Sequence, residues 1–77
     1  MIVMMKKNNP MKIILNNTPE KFDRDIMTVD ELLKLKKFTF KMLVVRINGN
    51  LVKKDEYNSA EIKDKDEVMV LHLVSGG

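Results

Sequence analysis

An α+β fold, a mixed β-sheet with one main helix packed on one face, is what this sequence predicts. Three observations lead there. Segments with two-residue apolar periodicity stand near both ends of the chain, and one helix-capping signal lies between them. The most continuous apolar run, residues 67–74, comes last. The chain has 77 residues, 44% of them apolar and 32% charged, which fits one folded domain and not a disordered segment. A domain of this size buries one modest core, worth about 3–5 kcal/mol net, so every apolar strand face counts.

Residues 11–16 read as the first strand. Alternation places Met11, Ile13 and Leu15 on one face and Lys12 and Ile14 on the other. The pair Asn16-Asn17 supplies a turn, and residues 18–24 form the return strand, with Pro19 tolerable near its start or on an edge. Thr28 followed by Glu31 is a capping box, and Val29, Leu32 and Leu33 give the helix its apolar stripe. That helix ends among Lys34, Lys36 and Lys37. Residues 43–47 form a strand closed by Asn48-Gly49, a strong short-range turn signal, and Leu51-Val52 is a short strand after it. Residues 53–65 read as a polar loop, broken by Tyr57 and Ile62, which are spaced to plug a core from a crossing segment. The Val content of residues 67–74 favours a strand buried on one face and in contact with something on the other.

The order is strand, strand, helix, strand, short strand, strand, with the last strand expected to pair centrally with the first because it is the most apolar. This is a β-grasp order, with the helix on one face of the sheet. Residues 11–74 make the domain, residues 75–77 a flexible Gly-Gly tail. Residues 1–10 are an N-terminal extension: a disordered arm, an added edge strand, or sequence upstream of a start at Met11.

Composition excludes much. Without Cys there is no disulfide framework, thiolate zinc site, iron–sulfur cluster or cysteine nucleophile, and a single His makes no His-rich metal cluster. No metal site is expected. His72 and Ser75 lack a third orienting group, so they make no triad, and His72 reads as a strand surface residue. The net charge of +3 divides into a basic body (residues 1–54, +7) and an acidic stretch (residues 55–77, −4). There are only two Arg, Arg24 and Arg46, and the aromatics do not interleave with them, so no nucleic-acid partner is expected. Lys34, Lys36, Lys37 and Lys41 read as a solvated helix end favoured by the macrodipole. The chain has no run of about 20 apolar residues to span a membrane. Its opening apolar run of five residues precedes its Lys pair, unlike a secretory signal. A cytoplasmic protein without membrane contact is expected, one that enters chemistry as a substrate or carrier.

The sequence closes Leu71-His72-Leu73-Val74-Ser75-Gly76-Gly77. Glycine has no Cβ and adopts extended or positive-φ conformations freely, so a Gly-Gly carboxylate can thread a narrow channel. Four residues past the strand reach about 13–14 Å, enough to enter another protein's active site. A frayed terminus is the alternative; the position directly after a β-grasp final strand favours function.

These features together resemble the ThiS family, the small sulfur carriers of thiazole (thiamine) biosynthesis in the ubiquitin-like β-grasp group. The likeness runs from Met11 to Gly77. It rests on Met11-Lys12-Ile13, on Thr28-Val29 opening a helix with Leu32-Leu33, and on Val45-Arg46-Ile47-Asn48-Gly49. Tyr57 stands where these carriers often have Trp, residues 62–68 resemble their Asp-Gly-Asp turn, and Gly76-Gly77 closes the match. Lys65 stands where the family usually has Gly, so a turn position that often needs φ > 0 must manage without it. Residues 1–10 have no counterpart.

The resemblance implies a protein cosubstrate, not an enzyme. A ThiF-like adenylating enzyme, similar to ubiquitin-activating enzymes, would use ATP with Mg to convert the Gly77 carboxylate to an acyl-adenylate. A persulfide from a cysteine desulfurase would displace AMP to leave a thiocarboxylate, and a ThiG-like thiazole synthase would take the sulfur. The chain itself would bind no cofactor. Other families sharing fold and tail remain open: the small (MoaD-like) subunit of molybdopterin synthase, and a ubiquitin-like modifier or tRNA-thiolation carrier. The Phe/Pro-rich approach to the tail of the molybdopterin family is missing here. An interaction module with an inert tail is the reading of a different class.

For docking, Val68 and Val70 are expected to face the core. Met69, Leu71 and Leu73 then face outward as an exposed binding row, which Ser75 and Gly76 continue as the threading tail. A strand covered on both faces is the alternative. Asp64 and Asp66, with Glu67, form either an acidic rim that steers toward a basic partner or simply a solvated turn.

Overall fold

The computed structural model describes residues 10–73, and in them the apolar alternation of the sequence resolves into two sheets. Strand β1 (Met11–Leu15) turns through Asn16 and Asn17, both at positive φ (50° and 67°), into the antiparallel β2 (Thr18–Phe22). Two successive positive-φ residues make the tight turn whose twist suits a hairpin, and Asn tolerates it better than most side chains. Strand β3 (Ile26–Thr28) leads into helix α1 (Val29–Leu35). Strands β4 (Leu43–Ile47) and β5 (Asn50–Val52) form a second hairpin through Asn48 and Gly49, at φ 51° and 84°. A single 3-10 turn (Lys54–Glu56), β6 (Glu61–Lys63) and β7 (Glu67–His72) complete the described chain.

The main sheet has the order β2-β1-β7-β4-β5. Strand β7 runs parallel to β1 and antiparallel to β4, so the last strand lies in the middle, as its apolar content predicts. Its Val68 and Val70 meet Ile13 and Leu15 of β1, Val45 of β4, and Val29, Leu32 and Leu33 of α1 in one buried cluster. The capping box forms: Glu31 N–H donates to Thr28 Oγ1 (3.2 Å), and Thr28 N–H donates to Glu31 Oε1 (2.9 Å).

Several boundaries differ from the sequence reading: β1 ends at Leu15 and β5 begins at Asn50. The return strand stops at Phe22, where the Arg24 N–H turns back to the Phe22 carbonyl, and the last strand ends at His72. Residues 53–65 are not simply loop: they hold the 3-10 turn and β6, which pairs with β3 in a second, two-stranded sheet with Met27 opposite Ile62. A three-residue strand with one inward side chain carries too little alternation to be seen in sequence. Ile62 is fully buried and Tyr57 half-buried against the core, so both act as plugs. This crossing segment also satisfies the helix start, since the Tyr57 and Ala60 carbonyls accept from the Asp30 and Val29 N–H groups. At the other helix end Lys36 is not merely solvated; its Nζ lies 3.0 Å from Glu20 Oε2 and ties α1 to β2.

The turn before β7 contains Lys65 at φ 74°. It is held from several sides. Asp66 Oδ2 accepts from Lys63 N–H (2.9 Å) and Oδ1 from Asn48 Nδ2 (3.0 Å), while Asn48 Oδ1 accepts from Glu67 N–H (2.9 Å). Lys12 N–H donates to Asp64 Oδ1 (2.7 Å), and Lys65 N–H to the Lys12 carbonyl (2.6 Å). Among the described residues no helix is long and apolar enough to cross a membrane. Residues 1–9, where an arm or edge strand was expected, lie outside the described residues.

The left-handed conformation costs an L-residue about 1–2 kcal/mol, while glycine's extra chain entropy costs about 0.5–1 kcal/mol. Lys65→Gly is therefore expected to be stabilising by up to about 1 kcal/mol, and Lys65→Val destabilising by at least about 1 kcal/mol, in urea unfolding. A lower unfolding midpoint for the Gly variant would contradict the account of this turn.

Candidate functional site: the outer sheet face and the root of the tail

Strand alternation sends Val68 and Val70 into the core and Met69 and Leu71 to the opposite face of the sheet. The register carries that outer face across its neighbours. Leu71 sits opposite Val44, Met69 opposite Arg46, Arg46 opposite Leu51, and Ile14 opposite Glu67. An apolar row therefore crosses β1, β7, β4 and β5, with Lys12, Arg46 and Glu67 beside it. Ile14, Leu51 and Leu71 are 36%, 59% and 42% exposed, and Met69 and Val44 are half-buried. The helix packs on the other face, because its buried residues share the cluster of the inward strand side chains. The outer face of β7 is thus open among the described residues, and Leu73, just past the strand, is exposed as well.

Past the end of β1, the side chain of Asn16 continues the ladder that the backbone leaves off. Its Oδ1 accepts from Val70 N–H (2.7 Å) and its Nδ2 donates to the Val70 carbonyl (3.1 Å), while Asn16 N–H donates to the Val68 carbonyl (2.9 Å). On the other side Leu73 N–H donates to the Met42 carbonyl (3.0 Å). The Phe40 ring stacks on His72 with centroids 3.8 Å apart and planes 21° from parallel. The last strand is thereby gripped from both flanks as far as Leu73, which sets the place from which the tail departs.

Of the residues singled out in the sequence, Met69, Leu71 and Leu73 fall together at this end and face of the sheet. Asp64 and Asp66 do not join them. They precede the start of β7 and so lie about 17 Å or more from its far end, at a rise of about 3.3 Å per residue. There their carboxylates hold the turn. Ser75, Gly76 and Gly77 lie outside the described residues. His72 is a strand residue at the exposed end of β7. Asn16 was legible only as a turn residue, and Phe40 and Met42 carried no signal, because their partners are distant in the chain. Among the described residues no group of three or more His, Cys, Asp or Glu side chains is placed to hold a metal.

A hairpin, a helix and a central last strand that pairs parallel with the first define a ubiquitin-like β-grasp protein. Within that class the chain belongs to the ThiS family, whose model matches residues 11–77. It is 30% identical over 63 residues, 82% of this chain and 96% of the relative, to the sulfur carrier protein ThiS of Bacillus subtilis (strain 168). It is also similar to the crystal structure of a thiamine biosynthesis protein (ThiS) from Geobacter metallireducens. The TM-score is 0.78 at 28% identity, covering 87% of this chain and all of that one. The NMR solution structure of a thiamine biosynthesis protein from the same organism matches with a TM-score of 0.71, again at 28% identity, over 87% of this chain and 88% of that one.

Asn16→Gly keeps the positive φ of the turn but removes the amide that grips Val70. Two lost hydrogen bonds, each worth about 1 kcal/mol, should speed amide exchange at residues 70–73 by about tenfold or more. Exchange at Ile13 and Val45 should change less. Uniform acceleration through the sheet would show that Asn16 supports the whole fold and not the tail root.

Proposed function

We propose that this chain is a sulfur carrier protein of thiazole (thiamine) biosynthesis that holds sulfur as a thiocarboxylate on Gly77. The observation that carries the reading is the ThiS-family match, which runs through Gly76 and Gly77. A carboxylate is a poor electrophile until a phosphoryl group takes over one oxygen. In this scheme a ThiF-like enzyme, using ATP with Mg, adenylates Gly77 and releases pyrophosphate. The terminal sulfur of a desulfurase-derived persulfide then attacks the carbonyl carbon and AMP leaves. A thiol cleaves the resulting S–S bond, ending as a disulfide, and a thiocarboxylate remains on Gly77. That group is ionised at neutral pH and carries a soft nucleophilic sulfur, which a ThiG-like thiazole synthase takes up.

The carrier needs no catalytic side chain and no bound cofactor for this cycle. Its contribution is docking and delivery. Met69, Leu71 and Leu73 seat the outer face on the activating enzyme, where apolar burial at the centre of an interface supplies most of the affinity. Ser75 and Gly76 thread the carboxylate of Gly77 inward. Asp64 and Asp66 lie at the far pole, where they hold the turn before β7 in place of a docking role. The cycle is cytoplasmic.

Incubation with the cognate adenylating enzyme, ATP and a sulfur source, followed by intact mass, should show one oxygen-to-sulfur exchange, abolished by deleting Gly77. No exchange with an enzyme proven competent on another carrier would overturn the reading. A stable complex with a large molybdopterin-synthase subunit, in place of thiazole synthase, would move the chain to that pathway. Met69→Glu and Leu71→Glu should raise the KM of activation by about tenfold or more, the equivalent of about 1.4 kcal/mol of lost docking, with little change in thermal midpoint.

A further inference from the structure

Eight large apolar side chains stand exposed among the described residues, and four of them, Phe40, Met42, Leu51 and Leu73, line one groove. The groove lies at the β4–β5 edge, between the end of α1 and the 38–42 loop, and encloses about 600 Å3. Phe38 and Tyr57, both packed against the core, lie deeper in it. Its lysines are Lys34, Lys41, Lys53 and Lys54, against a single acid, Asp30, which is already paired with Lys34 at 3.0 Å. Lys41, Lys53 and Lys54 join none of the salt bridges among the described residues. Apolar floor and basic rim occur together here; Val44, Leu51 and Leu73 also belong to the outer-face row, whereas Phe40, Met42 and the lysines lie outside it.

We propose that this groove is a second docking surface, which binds a partner-protein segment carrying acidic side chains around one or two bulky apolar ones. The floor selects for apolar side chains, since covering Phe40, Met42, Leu51 and Leu73 removes exposed hydrocarbon from water. The rim selects for acids, because Lys41, Lys53 and Lys54, which join no salt bridge among the described residues, line the groove beside that floor. Nucleic acid suits this chemistry less well. Phosphates would meet the lysines but leave the apolar side chains facing water, and no Arg lines the groove to grip a phosphate bidentately. Because Leu73 belongs to both the groove and the tail root, the segment binds beside the departing tail. That it belongs to a protein acting on the tail rests on the sulfur-carrier reading; the binding itself does not.

The test is an NMR titration of the 15N-labelled full chain with the capped peptide Glu-Asp-Phe-Glu-Leu-Asp and with the same peptide carrying Lys at every acidic position. Saturable shifts are expected at residues 38–43, 51–54 and 73 with the acidic peptide only, weakened severalfold by salt at about 0.5 M, where screening is short-ranged. The pair Lys53→Glu with Lys54→Glu should weaken binding by about tenfold or more, the scale of one or two charge contacts. Leu51→Ala, at an exposed site, should weaken it severalfold in a chain whose spectrum stays folded. The proposal is overturned by absent or non-saturable shifts, by equal shifts with the basic peptide, or by shifts confined to Ile14 and Met69. It is equally overturned if a single-stranded oligonucleotide moves the groove residues more strongly, or if they shift with protein concentration alone, which would make a second copy the occupant. Loading of Gly77 by intact mass is read separately, so failure of the carrier reading leaves this outcome intact and the reverse.

Discussion

The insertion of β7 between β1 and β4 is the constraint on which the other features depend. The segment made last must find partners 53 residues upstream in β1 and 21 to 29 residues upstream in β4, and until it does neither hairpin has a complete core face. Loop closure over such separations is slow and entropically costly, so the strand that performs it must bring a large apolar return. Val68 and Val70 are that return, buried against Leu15, Val45 and the helix stripe. Because β7 is central, its far end emerges between two gripping flanks and not from a loose sheet edge. The tail is thus rooted in the most firmly held strand of the domain.

A central strand has two faces, and this domain uses them differently. The inward face is closed by α1 and supplies stability. The outward face keeps Met69 and Leu71 beside Ile14, Val44 and Leu51, at the cost of leaving apolar surface in water. Such a surface is a liability for a monomer and an asset for a protein handed between partners. The charges are arranged with the same economy. Asp64 and Asp66 hold the turn that lets β7 start in register, which is why Lys65 can sit at positive φ without glycine. The lysines at the β4–β5 edge have no comparable internal task.

Much of this was legible in the sequence because the signals were local. The capping box at Thr28 and Glu31, the Asn16-Asn17 and Asn48-Gly49 turns and the alternation of β1 each depend on neighbours within a few residues. The β3–β6 sheet was not legible: each strand is three residues long, and only the pairing of Met27 with Ile62 across 35 residues makes them strands. The role of Asn16 was hidden for the same reason. As a turn residue it is ordinary; as the group that completes the ladder at Val70 it needs the sheet to exist first.

The sequence by itself determined every element except β3, β6 and the 3-10 turn, the order of the rest, the central place of the most apolar strand and, through its motifs, the ThiS-family resemblance. Periodicity and capping are short-range physics, so they can be read along the chain. Only the tertiary structure decided which face of β7 stays open, what grips the strand before Leu73, and where Lys41, Lys53 and Lys54 gather around exposed apolar side chains. Those outcomes arise from contacts between residues far apart in the chain, and no local pattern encodes them.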